Sequence, residues 1–292
     1  MVEGTRQSRV NLQFVSAYSV VNCHNEGLTM SNSWLQVAQE ALKIPGLLVE
    51  IYGDLARPGV QQVGKALGTV FGLGNTVLWP IHLANERSRI YIEKNLEDYR
   101  ARLEHLPQEK VVPVAPEIGV PIAEKLAYVR DTKLADMYVT LLAKASNADS
   151  VWEAHPSFVN VINNLSPDEA QLLEYFVNET DLEFVTAKWW SSTMYSFAGD
   201  LLIAPERSSS LLYPQNVPAY FSNLDGLGLI IIHHDRSVKR DTVDVYPALK
   251  DYWSSQFPAQ MAPKPDRTLT FENGVVCVTT FGSQFIHACH RQ

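Results

Sequence analysis

Cysteine is scarce in this chain. Of 292 residues only Cys23, Cys277 and Cys289 are cysteines, too scattered for a disulfide framework, a usage that suits a reducing cytosol. Basic residues are thin in the second half. Residues 151–292 carry 9 Lys/Arg against 16 Asp/Glu, whereas residues 1–150 carry 15 against 16. Sequence-independent affinity for nucleic acid comes mainly from cations meeting phosphates, so the second half is poorly suited to it. Short catalytic motifs are missing as well: there is no G-x-S-x-G elbow, no Walker loop and no H-E-x-x-H. The expectation is a protein that is not an enzyme, with no catalytic residues, no cofactor and no metal site.

What is present describes a globular protein. Hydrophobic residues make up 46% and charged residues 19% of the chain, and the length allows two domains with cores of their own. Arg6 and Arg9 precede a mildly apolar run, Val10–Val21, interrupted by Asn11, Gln13, Ser16 and Ser19. No small-x-small cleavage site follows it clearly. Met30 opens a better-formed stretch, so residues 1–29 read as an extension, 30–150 as a helical domain and 151–292 as a second domain.

The first domain is organised around Gly59–Asn85, GVQQVGKALGTVFGLGNTVLWPIHLAN. Gly64, Gly68 and Gly72 recur at helical four-residue spacing, beside an apolar stripe of Val60, Val63, Leu67 and Val70. No charge occurs between Lys65 and Glu86. Each interior glycine costs a helix about 1 kcal/mol against alanine, and close approach of another helix is the usual offset. Three readings stay open for this strip: tight packing inside the protein's own core, assembly with another copy, and membrane insertion. The 20 uncharged residues match the ~20 that span hydrocarbon. Thr69, Asn75, Thr76, His82 and the breaks at Gly74 and Pro80 point instead to a two-piece helical hairpin.

Further along, Ile92, Leu96, Tyr99, Leu103 and Leu106 form the stripe of an amphipathic helix over 86–106, with Asp98–Arg102 as an attractive pair one turn apart. Pro107, Pro113, Pro116 and Pro121 predict an extended linker, followed by a helix near 121–129. Asp131 caps a helix over 133–146. Ser166-Pro167-Asp168-Glu169 is a strong helix start, and explains that carboxylate pair as capping. Residues 181–198, with Trp189-Trp190, are aromatic and ambiguous, and 204–210 reads as loop.

From Val217 the pattern predicts helix, glycine turn and a strand over 229–232. Residues 242–254 suit a helix. Two further strands, 268–271 and 275–278, flank Asn273-Gly274 as a hairpin, and a helix over 280–288 closes the chain. That order resembles the second half of a winged-helix domain, so 151–292 is expected to be winged-helix-like and the whole α+β, mostly helical. His233-His234 cannot both face one ion from a regular strand. Cys277, His287, Cys289 and His290 lack the ligand spacing of zinc sites.

Several of these runs resemble one family. YGDLARPGVQQVGKALGTVFGLGNTVL, EKNLEDYRARLEHLP, PEIGVPIAEKLAY and HPSFVNVINNLSPDEAQLLEY are similar to the abortive-infection alpha family, and NLDGLGLI and TTFGSQF fit it too. The resemblance implies a bacterial or prophage-borne protein tied to phage resistance by cell shutdown, and supplies no catalytic residues to carry over. The expected function is a non-enzymatic phage-defence protein acting through self-assembly, or through conditional membrane interaction of the hairpin bearing Gly64, Gly68 and Gly72. Its expected place is the cytoplasm, with the inner-membrane surface as a conditional one. A protein partner or a second copy is expected, and nucleic acid is not. The alternatives are a winged-helix DNA-binding regulator and a scaffold for a protein partner.

Overall fold

The structure, a computed structural model, describes residues 58–74, 86–239, 243–257, 261 and 264–290, with the backbone alone for 58, 71–74, 86 and 87. The expected extension 1–29, the helix over 33–52 and the second piece of the hairpin over 76–84 lie outside the described residues.

Among the described residues six helices come first: α1 Pro58–Gly74, α2 Glu86–Glu104, α3 Pro116–Leu126, α4 Thr132–Ala145, α5 Ser157–Asn163 and α6 Pro167–Tyr175. Their faces follow the sequence periodicity. Val60, Val63, Leu67 and Val70 of α1 are buried, as are Ile92, Leu96, Tyr99 and Leu103 of α2. α2 packs against α1, α3 and α4. Asn95 turns its amide inward and donates to the Leu126 carbonyl at 2.9 Å. Arg102 corrects the expected pairing with Asp98: it bonds to Asp136 and Thr140 of α4. Its side chain points at the neighbouring helix, and a cross-helix partner orders it more firmly than one on its own exposed face.

The caps fall where the sequence places them. Asp131 accepts from the N–H groups of Lys133 and Leu134, each at 3.0 Å. Ser166 and Glu169 form a reciprocal capping box at the start of α6. The proline linker is a correction. Only Val111–Ala115 run extended, with Val114 donating to the Ala66 carbonyl of α1 at 2.9 Å. Helix α3 already starts at Pro116 and continues through Pro121. Proline at the first helical position loses no hydrogen bond, and the buried stripe Ile118, Ile122 and Leu126 outweighs the bond lost at Pro121.

The second half is built on a curled antiparallel sheet in the order β2-β1-β4-β3. Its strands are β1 Asp181–Trp190, β2 Tyr195–Leu202, β3 Ile230–His233 and β4 Thr268–Val278. The ambiguous aromatic stretch is therefore the β1–β2 hairpin. One helical turn, α7 (Pro205–Ser208), lies in the expected loop. Helices α8 (Val217–Gly226), α9 (Tyr246–Gln256) and α10 (Thr280–Cys289) complete the chain.

The two faces of the sheet carry different layers. Phe184 and Val276 join the large core shared with the helices, while Val185 and Phe271 pack under Tyr246 and Leu249 of α9. α10 returns to α4, and Phe285 sets its ring edge-on to Phe158 of α5 at 5.4 Å.

The expected hairpin at Asn273-Gly274 is absent. β4 runs straight through it, paired along its length with β1. The reason is the Phe184 ring: a Cβ on Gly274 would lie 2.1 Å from its Cζ. Glycine here makes room for an aromatic side chain rather than for a turn; the α+β class stands, and the winged-helix-like arrangement is not confirmed.

Candidate interaction surface

Two family-like motifs of the second half, NLDGLGLI and TTFGSQF, meet in space. Thr279 donates to the Gly228 carbonyl at 2.6 Å and caps α10 by accepting from Gly282 N–H at 2.8 Å. Gly228 takes a left-handed φ of 74°, and a Cβ on Gly282 would lie 1.9 Å from the Leu229 carbonyl oxygen. Both glycines let a loop and a helix close on each other, which is a structural role.

Asp168 does more than cap. Glu169 makes the capping box, but Asp168, 4% exposed, reaches across the fold. It accepts from Leu212 N–H at 2.8 Å, Tyr213 N–H at 2.9 Å and the Tyr220 hydroxyl at 2.7 Å. Burial alone pushes its pKa up. The hydrogen bonds from Tyr220, Leu212 and Tyr213 outweigh that and hold it below the usual carboxylate range. The loop so anchored carries Leu212 and Tyr213 exposed on its outer side.

The catalytic and metal possibilities can be read from geometry. Asp200 accepts from the Thr186 hydroxyl at 2.6 Å, and Nδ1 of His234 stands 3.8 Å away. In a hydrolytic triad the imidazole stands between hydroxyl and carboxylate. Here the carboxylate stands in the middle, which is not the triad's order. Among the described residues no three His, Cys, Asp or Glu are placed to hold a metal ion. Cys289 is buried in the core, where desolvation pushes its thiol well up, and burial likewise raises Cys277 to about 11. His287 stands 3.1 Å from Glu153, and the buried Nε2 of His290 has no partner among the described residues.

The strongest surface feature is the β1–β2 hairpin. Trp189–Gly199 is a run of 11 residues without a charge, set between Lys188 and Asp200. Cross-strand pairing puts Trp190 opposite Tyr195 and Lys188 opposite Phe197, so all four share one face. It is the Phe184 face, continued beyond the point where helices cover it. Phe197 is 61% and Met194 59% exposed. The rings are ordered against each other, Trp190–Tyr195 at 5.0 Å and Tyr195–Phe197 at 5.6 Å between centroids. The Lys188 ammonium lies 4.5 Å from the Tyr195 ring and bonds to Glu272. Contiguous exposed apolar surface of this kind is a candidate contact site. The sequence signal was available in the uncharged run, but periodicity alone could not say which face it would join.

Beside the hairpin lie two clefts. One, of about 460 Å3, follows the outer edge of β2 from Ala198 to Ile203. The other, of about 470 Å3, lies between β1, α7 and α9 and is lined by Glu183, Glu206, Arg207 and Asp244. Arg207 also stacks over the Tyr175 ring at 4.2 Å.

The predicted strip Gly64, Gly68 and Gly72 lies on α1. Gly64 and Gly68 are half-exposed, beside the buried stripe of Val60, Val63, Leu67 and Val70. A Cβ on Gly64 would meet nothing within 4 Å. Among the described residues no helix is long and apolar enough to cross a membrane.

No curated protein and no solved structure matches the chain. One family does: the model described as abortive infection alpha matches residues 91–289, a span from the second turn of α2 to the end of α10 that contains the whole sheet and leaves α1 before it, and the chain belongs to that family.

Proposed function

We propose that this member of the abortive infection alpha family is a non-enzymatic phage-defence protein that acts by surface contact, through self-assembly or through conditional interaction with the inner-membrane surface. The observation that carries the reading is the aromatic face of the β1–β2 hairpin, where Trp190, Tyr195 and Phe197 are ordered ring against ring yet exposed, Met194 is exposed beside them, and the Lys188 ammonium is paired with Glu272. Keeping such a patch in water has no benefit to the fold, and its aromatic and methionine content matches contact surfaces, where these residue types are enriched. Gly64, Gly68 and Gly72 add a second candidate face for close helix approach on α1. The protein would reside in the cytoplasm and reach the membrane only on activation.

The test is phage challenge of bacteria expressing the full chain, compared with Phe197→Ser and with Gly68→Leu, each checked for folding by circular dichroism. Loss of protection by folded Phe197→Ser supports the hairpin as the contact face. Dye leakage from vesicles made with the same proteins separates the two modes: leakage by the original chain assigns the membrane mode, and assembly without leakage assigns the other. Full protection by a folded double variant would overturn the reading.

A further inference from the structure

We infer that the outer edge of β2 accepts a short, extended, apolar segment of a partner polypeptide as a fifth strand of the sheet. This goes beyond the hairpin face, whose exposed rings stand on the flat of the sheet rather than at its edge.

The 460 Å3 cleft is lined by Ala198 to Ile203, the second half of β2 and the residue after it. Among the described residues β2 is the end strand of the sheet and pairs on one side only, with β1. Among the described residues none bonds to the backbone of Phe197, Ala198, Gly199 or Asp200 from the open side. Such a row of donors and acceptors is complementary to another extended backbone. The walls rise on both faces of the sheet: Pro214, Val217 and Pro218 at the start of α8 on one, Trp253 and Phe257 at the end of α9 on the other. A strand between apolar walls needs apolar side chains on both its faces, so the occupant is a continuous apolar run rather than an alternating one.

Charge narrows the choice further. Among the described residues Asp200 is the one charged residue lining the cleft, and its carboxylate accepts from the Thr186 hydroxyl at 2.6 Å and from Leu201 N–H at 2.9 Å. The cleft therefore carries one negative charge and no cation from these residues, and is unsuited to a phosphate-bearing or other anionic ligand. A compact small molecule would find few free polar side chains to orient it, since the Ser208 hydroxyl is spent on the Pro205 carbonyl. A second copy's β2 edge would bring the same two walls with it and collide, which favours a single slender strand. Length is limited too. Leu201 has φ 48°, a left-handed kink that ends regular pairing. The register against β1 also shifts at Ala198, between Lys188↔Phe197 and Ala187↔Gly199, so an added strand follows a bulged edge of about four residues, ~14 Å at ~3.4 Å per residue.

The experiment titrates the full chain into a fluorescein-labelled eight-residue peptide of six valines and alanines flanked by lysines, read by anisotropy. A twin peptide carries N-methyl groups on alternate amides, which removes donors along one edge without changing the side chains. Saturable binding, weakened about tenfold or more by N-methylation and by Gln215→Trp at the cleft mouth, is expected; Gln215 is exposed, so its replacement leaves the core intact. Equal binding of the two peptides, or no binding at millimolar concentration, overturns the inference. So does a concentration-dependent dimer in sedimentation that Gln215→Trp abolishes, because the occupant would then be a second copy. The readout is independent of phage protection, so it stands or falls apart from the hairpin proposal.

Discussion

The helical layer and the sheet manage their surfaces in opposite ways. In α1–α6 the apolar faces are turned inward and several polar groups that enter the core find partners there: Asn95 in Leu126, Arg102 in Asp136, and Asp168 in three donors from another part of the chain. The sheet leaves the Trp190, Tyr195 and Phe197 face uncovered and one side of β2 unpaired within the described residues. The contrast separates stability from contact. Changes in the closed layer and at its seams should act on folding, and changes on the open face should act on recognition with little cost to the fold.

The largest effect is expected at the seam between α10 and β3. Gly282→Leu forces a side chain against the Leu229 carbonyl, and should cost about 3 kcal/mol or more, or prevent folding, as read by urea denaturation. Asp168→Asn comes next. It weakens three buried hydrogen bonds to a carboxylate and should cost about 2 kcal/mol at neutral pH. Because the folded pKa of Asp168 is lowered, its contribution is complete above the ordinary value of 3.8 and is lost as pH falls through the folded value. The gap between Asp168→Asn and the original chain should therefore narrow in strong acid; a gap that widens there would contradict the assignment.

Gly64→Ala reverses the sign. With no atom within 4 Å of the new Cβ, the helix should gain about 0.5–1 kcal/mol. If that more stable protein also loses assembly, the glycine strip is a contact face; if assembly is unchanged, the strip is a helix surface and nothing more.

His290 should show in the pH profile. Burial lowers its pKa, Glu174 and Asp136 oppose that, and Lys133 adds to it. A lowered folded value means that stability is full above 6.5 and falls as pH drops through that region, so thermal scans between neutral and mildly acid pH should flatten in His290→Gln. The smallest change in stability belongs to the open face: Phe197→Ser should stay within about 0.5 kcal/mol of the original chain, and a larger loss would show that the hairpin is part of the core after all.

Local signals were read well where one residue's chemistry decides the outcome. The capping residues Asp131 and Ser166 start their helices, and the buried stripe of α2 is the one its periodicity predicts. Signals that depend on a distant neighbour were misread. Asn273-Gly274 carries strong hairpin chemistry, yet the Phe184 ring makes glycine necessary inside a strand. Asp168 looked like a capping acid, and only the return of the chain at Leu212–Tyr220 gives it its partners. The contact surface was half legible: the uncharged run Trp189–Gly199 stands in the sequence, but which of its residues would be covered depends on where the helices end over the sheet.

By itself, then, the sequence determined α1, α2 and α4, the principal caps, the family resemblance and the low charge of the hairpin, because each rests on residues close together in the chain. Tertiary structure alone decided that β4 is one strand, that β2 lies at an edge between two apolar walls, and that Trp190, Tyr195 and Phe197 share an uncovered face. The physical reason is that strand order and burial are set by contacts between distant segments, and no local pattern encodes which neighbour will arrive.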